Sequence, residues 1–349
     1  MRALHLSRFL GLGLGLGLIL TFLVPSAAAR QTADLRPKFE KGQETKYRME
    51  IDTQSVTESP DPEADSAPAS TKAKPGTKPE PKGLGTIKAT QKMTQSLGLR
   101  FKVINVDAQK TATVELIYDS LKVSIDGPEG KGDFDSSKPS SKPLNEPASK
   151  PARKEPADGQ TLNIDPLESG DPTANFGSIV GSVLTLTIDK DGNITKVSGG
   201  EGLVPTTPGD PARSLVTLGG VKELWGPIFT MRKATETATV GEKWKTSDTT
   251  DMSPIGRFTI TTESVLKSLS EALANVEFKG TIAPSVESAG GLMSFQVKDS
   301  THEGSYRWDT RRGMLSTLDM KQVVEIEGGS QGFKLNSKST TKTSVTRVE

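Results

Sequence analysis

Between Thr113 and Ile125 the chain alternates apolar and polar residues with a period of two, and part-way along it changes phase. Val114, Leu116 and Tyr118 share one parity, with Thr113, Glu115 and Asp119 mostly on the other, while Leu121, Val123 and Ile125 take the opposite parity. Period-two alternation marks a half-buried β-strand, because successive side chains leave opposite faces. A shift by one residue would turn every later apolar side chain to the wrong face. The phase change therefore predicts one extra residue, a β-bulge, near Asp119-Ser120.

The same pattern recurs along much of the chain. Residues 183–197 read as a hairpin, with Leu184, Leu186 and Ile188 on one face and Asp189-Lys190-Asp191-Gly192-Asn193 as the turn. Further strands are expected over 46–54, 86–106, 240–246, 257–266, 272–282, 305–308, 314–327 and 333–346. Strands of this length joined by short turns predict an antiparallel, mainly β fold. One short helical segment is expected between the β blocks. Asp210 is placed to cap it and Pro211 fits its first position, with Leu215, Leu218, Val221, Trp225, Ile228 and Phe229 near helical spacing. Gly219-Gly220 weakens this helix, and Pro227 is expected to end or kink it.

Residues 1–29 have the three parts of a removable secretory signal. Arg2 and Arg8 precede an apolar run from Leu10 to Val24, and Ala27-Ala28-Ala29 supplies small residues for cleavage. The mature chain is then expected to be exported, periplasmic or extracellular, with no transmembrane segment. It has no cysteine, so neither a lipidated N-terminal cysteine nor a disulfide can stabilise or anchor it. Stability must come from packing and strand pairing. Lys and Arg total 44 against 43 Asp and Glu, interleaved along the chain, and aromatics are 5% of residues. Without a basic patch or stacking platforms, nucleic acid is not expected as a partner.

Two stretches, near 57–82 and 127–158, are rich in Pro, Ser, Lys and Ala and poor in large apolar residues. They are expected as disordered insertions or surface loops. An internal echo points to two related β units. Val103 to Leu116 lies on Val265 to Phe278 without gaps, with identities at Val103/Val265, Ala112/Ala274, Val114/Val276 and Glu115/Glu277. Gly42 to Tyr47 similarly resembles Gly241 to Trp244, and the turn at 189–192 resembles that at 309–313. The expected organisation is a first β unit over 34–200, a helical connector over 201–234 and a second β unit over 235–349.

The order Gly42…Tyr47, Gln91-Lys92-Met93-Thr94-Gln95, the hairpin at 189–192 and Val240-Gly241-Glu242-Lys243-Trp244 resembles a family of uncharacterised exported bacterial proteins, known only as a domain of unknown function. That resemblance implies no catalytic or binding residues. In architecture the chain is also similar, more distantly, to periplasmic lipoprotein carriers, whose curved antiparallel sheet cradles acyl chains under a helical lid.

Chemistry-bearing motifs are few. After signal removal His302 is the sole histidine, too few for a zinc site built on histidines. Gly328-Gly329-Ser330-Gln331-Gly332 fits a nucleophile-elbow pattern, but no histidine follows it. Asp189 to Asn193 superficially matches a calcium loop, yet Ile194 and Gly200 stand where its glycine and glutamate belong. Trp225, Trp244 and Trp308 read as core anchors. No catalytic residue, metal site or cofactor is expected. The leading expectation is a non-catalytic protein that binds an envelope or extracellular macromolecule through its sheets. A lipid or lipoprotein carrier with an apolar cavity, and a hydrolase with an acid-only site, are the alternatives.

Overall fold

The computed structural model describes residues 31–60, 86–128, 130–138, 173–205, 210–230, 237–252, 256–285, 294–330 and 333–348. The expected signal at 1–29 lies outside them, as does most of each Pro/Ser/Lys-rich stretch. Where those stretches are described at 57–60 and 130–135 they are strand rather than loop.

The first half contains β1 (Thr32–Asp34), β2 (Glu44–Pro60), β3 (Thr86–Val106), β4 (Ala112–Gly127), β5 (Gly130–Asp135), β6 (Val183–Ile188) and β7 (Ile194–Ser198). Two short helices follow, α1 (Arg213–Val216) and α2 (Leu218–Phe229). The second half contains β8 (Thr237–Thr239), β9 (Lys243–Met252), β10 (Gly256–Ser270), β11 (Leu273–Pro284), β12 (Ser294–Asp309), β13 (Met314–Ser330) and β14 (Phe333–Val348).

The fold is mainly β and antiparallel. The two expected units do not build separate sheets. They merge into one sheet of order β7-β6-β4-β3-β2-β14-β13-β12-β11-β10-β9, with β5 also paired to β4. The last strand joins the halves, pairing with β2 over thirteen positions from Asn336↔Glu58 to Val348↔Lys46. A second sheet is the small β1-β8 pair.

The bulge expected at Asp119-Ser120 is present. Gly98 faces Ser120 and Leu99 faces Tyr118, so Asp119 is the extra residue. It allows Tyr118, Leu121, Val123 and Ile125 all to be buried despite their change of parity. Two strands run well past their apolar patterns. β12 was expected only over 305–308 but begins at Ser294, and β2 continues through the polar segment Ser55 to Pro60. β2 lies between β3 and β14 there, and β12 pairs with β13 along its extension, so backbone ladder bonding overrides weak local preference.

The gap-free echo is correct for one strand of each hairpin and slips by one on the other. Ala112, Val114 and Leu116 face Val106, Val103 and Phe101, whereas Ala274, Val276 and Phe278 face Leu269, Leu266 and Ser264. The structural counterpart of Val103 is thus Leu266 and not Val265. The cause is a connection one residue shorter in the second hairpin. Both hairpins also carry a register shift at the same place, between Val103/Asn105 and between Leu266/Ser268.

The helical segment differs in detail from expectation. Asp210 Oδ1 accepts the Ala212 N–H at 2.8 Å, but the helix starts at Arg213 and breaks at Thr217, which caps α2 by accepting from the Gly220 N–H. Gly220 is needed at this corner, since a Cβ there would lie 2.3 Å from the Ser214 backbone. Pro227 lies in the last turn and does not end α2, which runs on to Phe229. Leu218, expected on the apolar face, is exposed, while Leu215, Val221, Trp225, Ile228 and Phe229 are buried. α2 packs against β7, β13 and β9. Because β7 and β9 are the two sheet edges, the sheet curls around this helix. The rings of Trp225 and Phe229 meet Phe101 at 6.4 and 4.9 Å between centroids.

Candidate functional site

Cross-strand register divides the inner face of the sheet into rows. Nearest the helices, Leu121, Leu97, Met49, Val345, Leu318, Tyr306 and Val276 stand opposite one another on seven consecutive strands. None is more than 4% exposed. This row is filled core.

The next row, two residues along each strand, is Phe134, Val123, Gln95, Ile51, Thr343, Met320, Gly304 and Phe278. At its level lies a cavity of about 1980 Å³, bounded on its far side by Thr173, Ala174, Gly177 and Val180. Phe278 borders the row at its β11 end, and Gly304 is small for a steric reason. A Cβ on Gly304 would come within 2.2 Å of the Asp319 carbonyl and 2.7 Å of the Phe278 ring. Ile51, Val123, Phe134 and Met320 are apolar walls. Gln95 and Thr343, either side of Ile51, are the polar ones, each buried.

Beyond it, the third row is Ile125, Met93, Thr53, Thr341, Gln322, His302 and Gly280. Here the central strands become hydroxylic. Thr53 bonds Thr341 at 3.2 Å, Ser55 bonds Ser339 at 3.0 Å and Thr57 bonds Ser337 at 3.2 Å, forming a ladder down β2 and β14. On the β10–β13 side of this ladder Phe258, Ile282, Val324 and Ile326 form a second apolar cluster.

The residues weighed in the sequence fall into ordinary structural places. His302 stacks beside Phe278 at 5.1 Å, and burial holds its pKa below the usual histidine value. Ser330 ends β13 and pairs with Phe333 at the start of β14, a strand–turn–strand setting rather than the strand–turn–helix of a nucleophile elbow. Residues 331–332 lie outside the described ones. The Asp189 carboxylate is spent on its own turn, accepting from the Asn193 N–H at 2.8 Å and from the Asp191 N–H at 3.0 Å. Trp225, Trp244 and Trp308 are buried, as expected of core anchors.

Acidic residues border the cavity from strand positions that alternate with its inner row. Glu50, Asp52, Glu303 and Asp319 alternate with Ile51, Gly304 and Met320, so their side chains leave the opposite face. Asp135 pairs with Lys122 at 3.2 Å, and hydrogen bonds from Ser137 hold its pKa at about 2. A general acid needs the reverse shift. Among the described residues no group of three or more His, Cys, Asp or Glu is placed to hold a metal ion.

Sequence reasoning raised an apolar cavity only as an alternative and named none of the residues that line it. The strands β2, β3 and β4 show a polar substitution at Gln95 and a run of hydroxyls after Ile51, but the row they form with Thr343 and Met320 needs the register of β14. The only available signal was the fading of apolar alternation along each strand.

No family model matches this chain, and no curated protein is similar to it. A solved structure of lipovitellin, concerned with lipid–protein interactions in that protein, is similar over 89% of this chain and 26% of the lipovitellin chain, at 10% identity and a TM-score of 0.41. The chain thus spans about a quarter of the lipovitellin polypeptide, a likeness too remote to carry function. Among the described residues no helix is long and apolar enough to cross a membrane.

Proposed function

We propose that this is an exported, non-catalytic binding protein that carries an apolar or amphipathic small molecule, such as a lipid, inside its curved sheet. The observation that carries this reading is the cavity of about 1980 Å³ directly under a fully apolar row. Small-molecule pockets commonly measure roughly 300–1,000 Å³. A volume beyond that range suits a long-chain ligand better than a compact metabolite. The walls suit it as well, since the cavity row lines it with apolar Ile51, Val123, Phe134 and Met320 and polar Gln95 and Thr343.

Non-catalytic binding is the reading because the cavity row holds no acid, base or nucleophile pair. Gln95 and Thr343 offer hydrogen bonds but no proton chemistry near neutral pH.

The test is to purify the protein natively, extract it with organic solvent and identify the extract by mass spectrometry. A near-stoichiometric long-chain compound supports the carrier reading. Protein that emerges empty, and stays empty after incubation with a total lipid extract, overturns it.

A further inference from the structure

The sorting of charge across the sheet narrows the ligand class. On β2 the inner positions run Tyr47, Met49, Ile51, Thr53, Ser55, Thr57, while Lys46, Arg48, Glu50, Asp52 and Glu58 face outward. On β14 the inner positions run Val345, Thr343, Thr341, Ser339, Ser337, with Lys342 and Lys338 outward. The same parity holds on β3, β4, β10, β11, β12 and β13. Among the described residues of these eight strands, no Lys, Arg, Asp or Glu occupies an inner position of the rows around the cavity. His302 is the inner residue of these rows whose side chain could carry a positive charge, and burial favours its neutral form.

Two polar side chains in the cavity row leave hydrogen-bonding capacity unused among the described residues. The Gln95 amide nitrogen lies 3.3 Å from the Met93 sulfur, a weak acceptor, and its carbonyl oxygen has no hydrogen bond among the described residues. The Thr343 hydroxyl likewise has none. Both side chains are buried, at 6% and 7% exposure. Both residues line the cavity, where a ligand can reach the hydrogen-bonding capacity that their side chains do not use within the protein. Separated by Ile51 on the strand between them, they stand about 10 Å apart across two strand spacings.

Resting on the carrier reading, we infer that the cavity selects an uncharged amphiphile. Its hydrocarbon lies along Ile51, Val123, Phe134 and Met320. Its hydroxyl, ester or amide groups bond Gln95 and Thr343 and point toward the Ser/Thr ladder. A carboxylate or phosphate drawn against this sheet wall would leave water with no cationic side chain on the wall to receive it, since Lys138, which borders the cavity, is exposed beyond the end of β5. An unpaired buried charge is strongly disfavoured.

The experiment uses purified, delipidated protein at pH 8 with two probes of equal chain length, monooleoylglycerol and oleate. Binding is measured by native mass spectrometry and by centrifugal retention of radiolabel. The glyceride is expected to bind at least roughly tenfold more tightly, the size of effect that one uncompensated interaction makes. Oleate binding as well or better overturns the selection for neutral ligands and leaves the carrier reading standing. Retention of neither probe overturns both. The double variant Gln95→Leu, Thr343→Val keeps the cavity shape, and is expected to weaken glyceride binding several-fold while melting no lower than the parent. Unchanged glyceride affinity in that variant overturns the assignment of these two residues as the polar anchors.

Discussion

The indole N–H of Trp225 on α2 donates to the phenolic oxygen of Tyr118 on β4 at 3.0 Å, and that phenol donates in turn to the Leu215 carbonyl at 2.6 Å. Both rings are fully buried. This relay ties both helices to the sheet at the point where β4 changes phase. Tyr118→Phe removes the acceptor of one buried group and the donor of another. It is expected to cost about 1–3 kcal/mol, the penalty for buried groups left unmade. Trp225→Ala should cost about 3–5 kcal/mol by leaving a large cavity. Urea denaturation checks both, and a neutral Tyr118→Phe would show that the relay is not a clamp.

The matched hairpins make a paired stability prediction. Leu116 and Phe278 are buried at 0% and 8% exposure. Leu116→Ala should cost about 2–5 kcal/mol, and Phe278→Ala about 3 kcal/mol because it borders the cavity. Glu115→Ala and Glu277→Ala, on the other face, should cost under about 1 kcal/mol. The Glu277–Lys267 pair at 2.8 Å is solvent-exposed and therefore weak. Chemical denaturation of the four variants decides it, and equal losses for Leu116→Ala and Glu115→Ala would sink the assignment of faces.

A cavity and a filled core respond oppositely to added volume. Leu121 and Val123 lie two residues apart on the same face of β4, one in the filled row and one in the cavity row. Leu121→Trp overpacks, and is expected to destabilise by about 1–3 kcal/mol or more. Val123→Trp projects into open space and should leave the melting temperature nearly unchanged while reducing the amount of co-purifying ligand. Equal destabilisation by both substitutions, measured by calorimetry, would mean that the space beside Val123 is not available.

Asp309 ties the β12–β13 turn to the end of β14. Burial alone would raise its pKa. The Arg312 backbone N–H, the Arg347 guanidinium at 2.8 Å and the Arg311 N–H outweigh burial and hold it below the usual aspartate value. A carboxylate with a depressed folded-state pKa contributes stability that is present above its unfolded pKa, near 4. That contribution is lost as pH falls through the folded value. Asp309→Asn should therefore lower stability at pH 7 and flatten the acid limb of the stability–pH curve. Thermal melts from pH 7 to pH 2 test this, and parallel curves for parent and variant would rule it out.

By itself the sequence determined the mainly β, antiparallel class and, along β4, which face each side chain takes. Period-two patterning placed β3 at its observed bounds, and the parity change at Asp119 predicted the bulge, because side-chain direction in a strand depends only on position along the chain. It also determined that Trp225 and Phe229 face inward from a short helix. The row containing Gln95, Ile51, Thr343 and Met320 was decided by tertiary structure alone. Those residues stand opposite one another because β14 returns to pair with β2, nearly three hundred positions away in sequence, and no local pattern encodes a partner at that distance. β12 over 294–301 is held by β13 alone, and the long polar reach of β2 has the same cause as the row, since β3 and β14 pair with it on both sides. So does the cavity. Packing fills one row with Leu, Met and Val and leaves the next open, and that difference exists only where eight strands are brought into register.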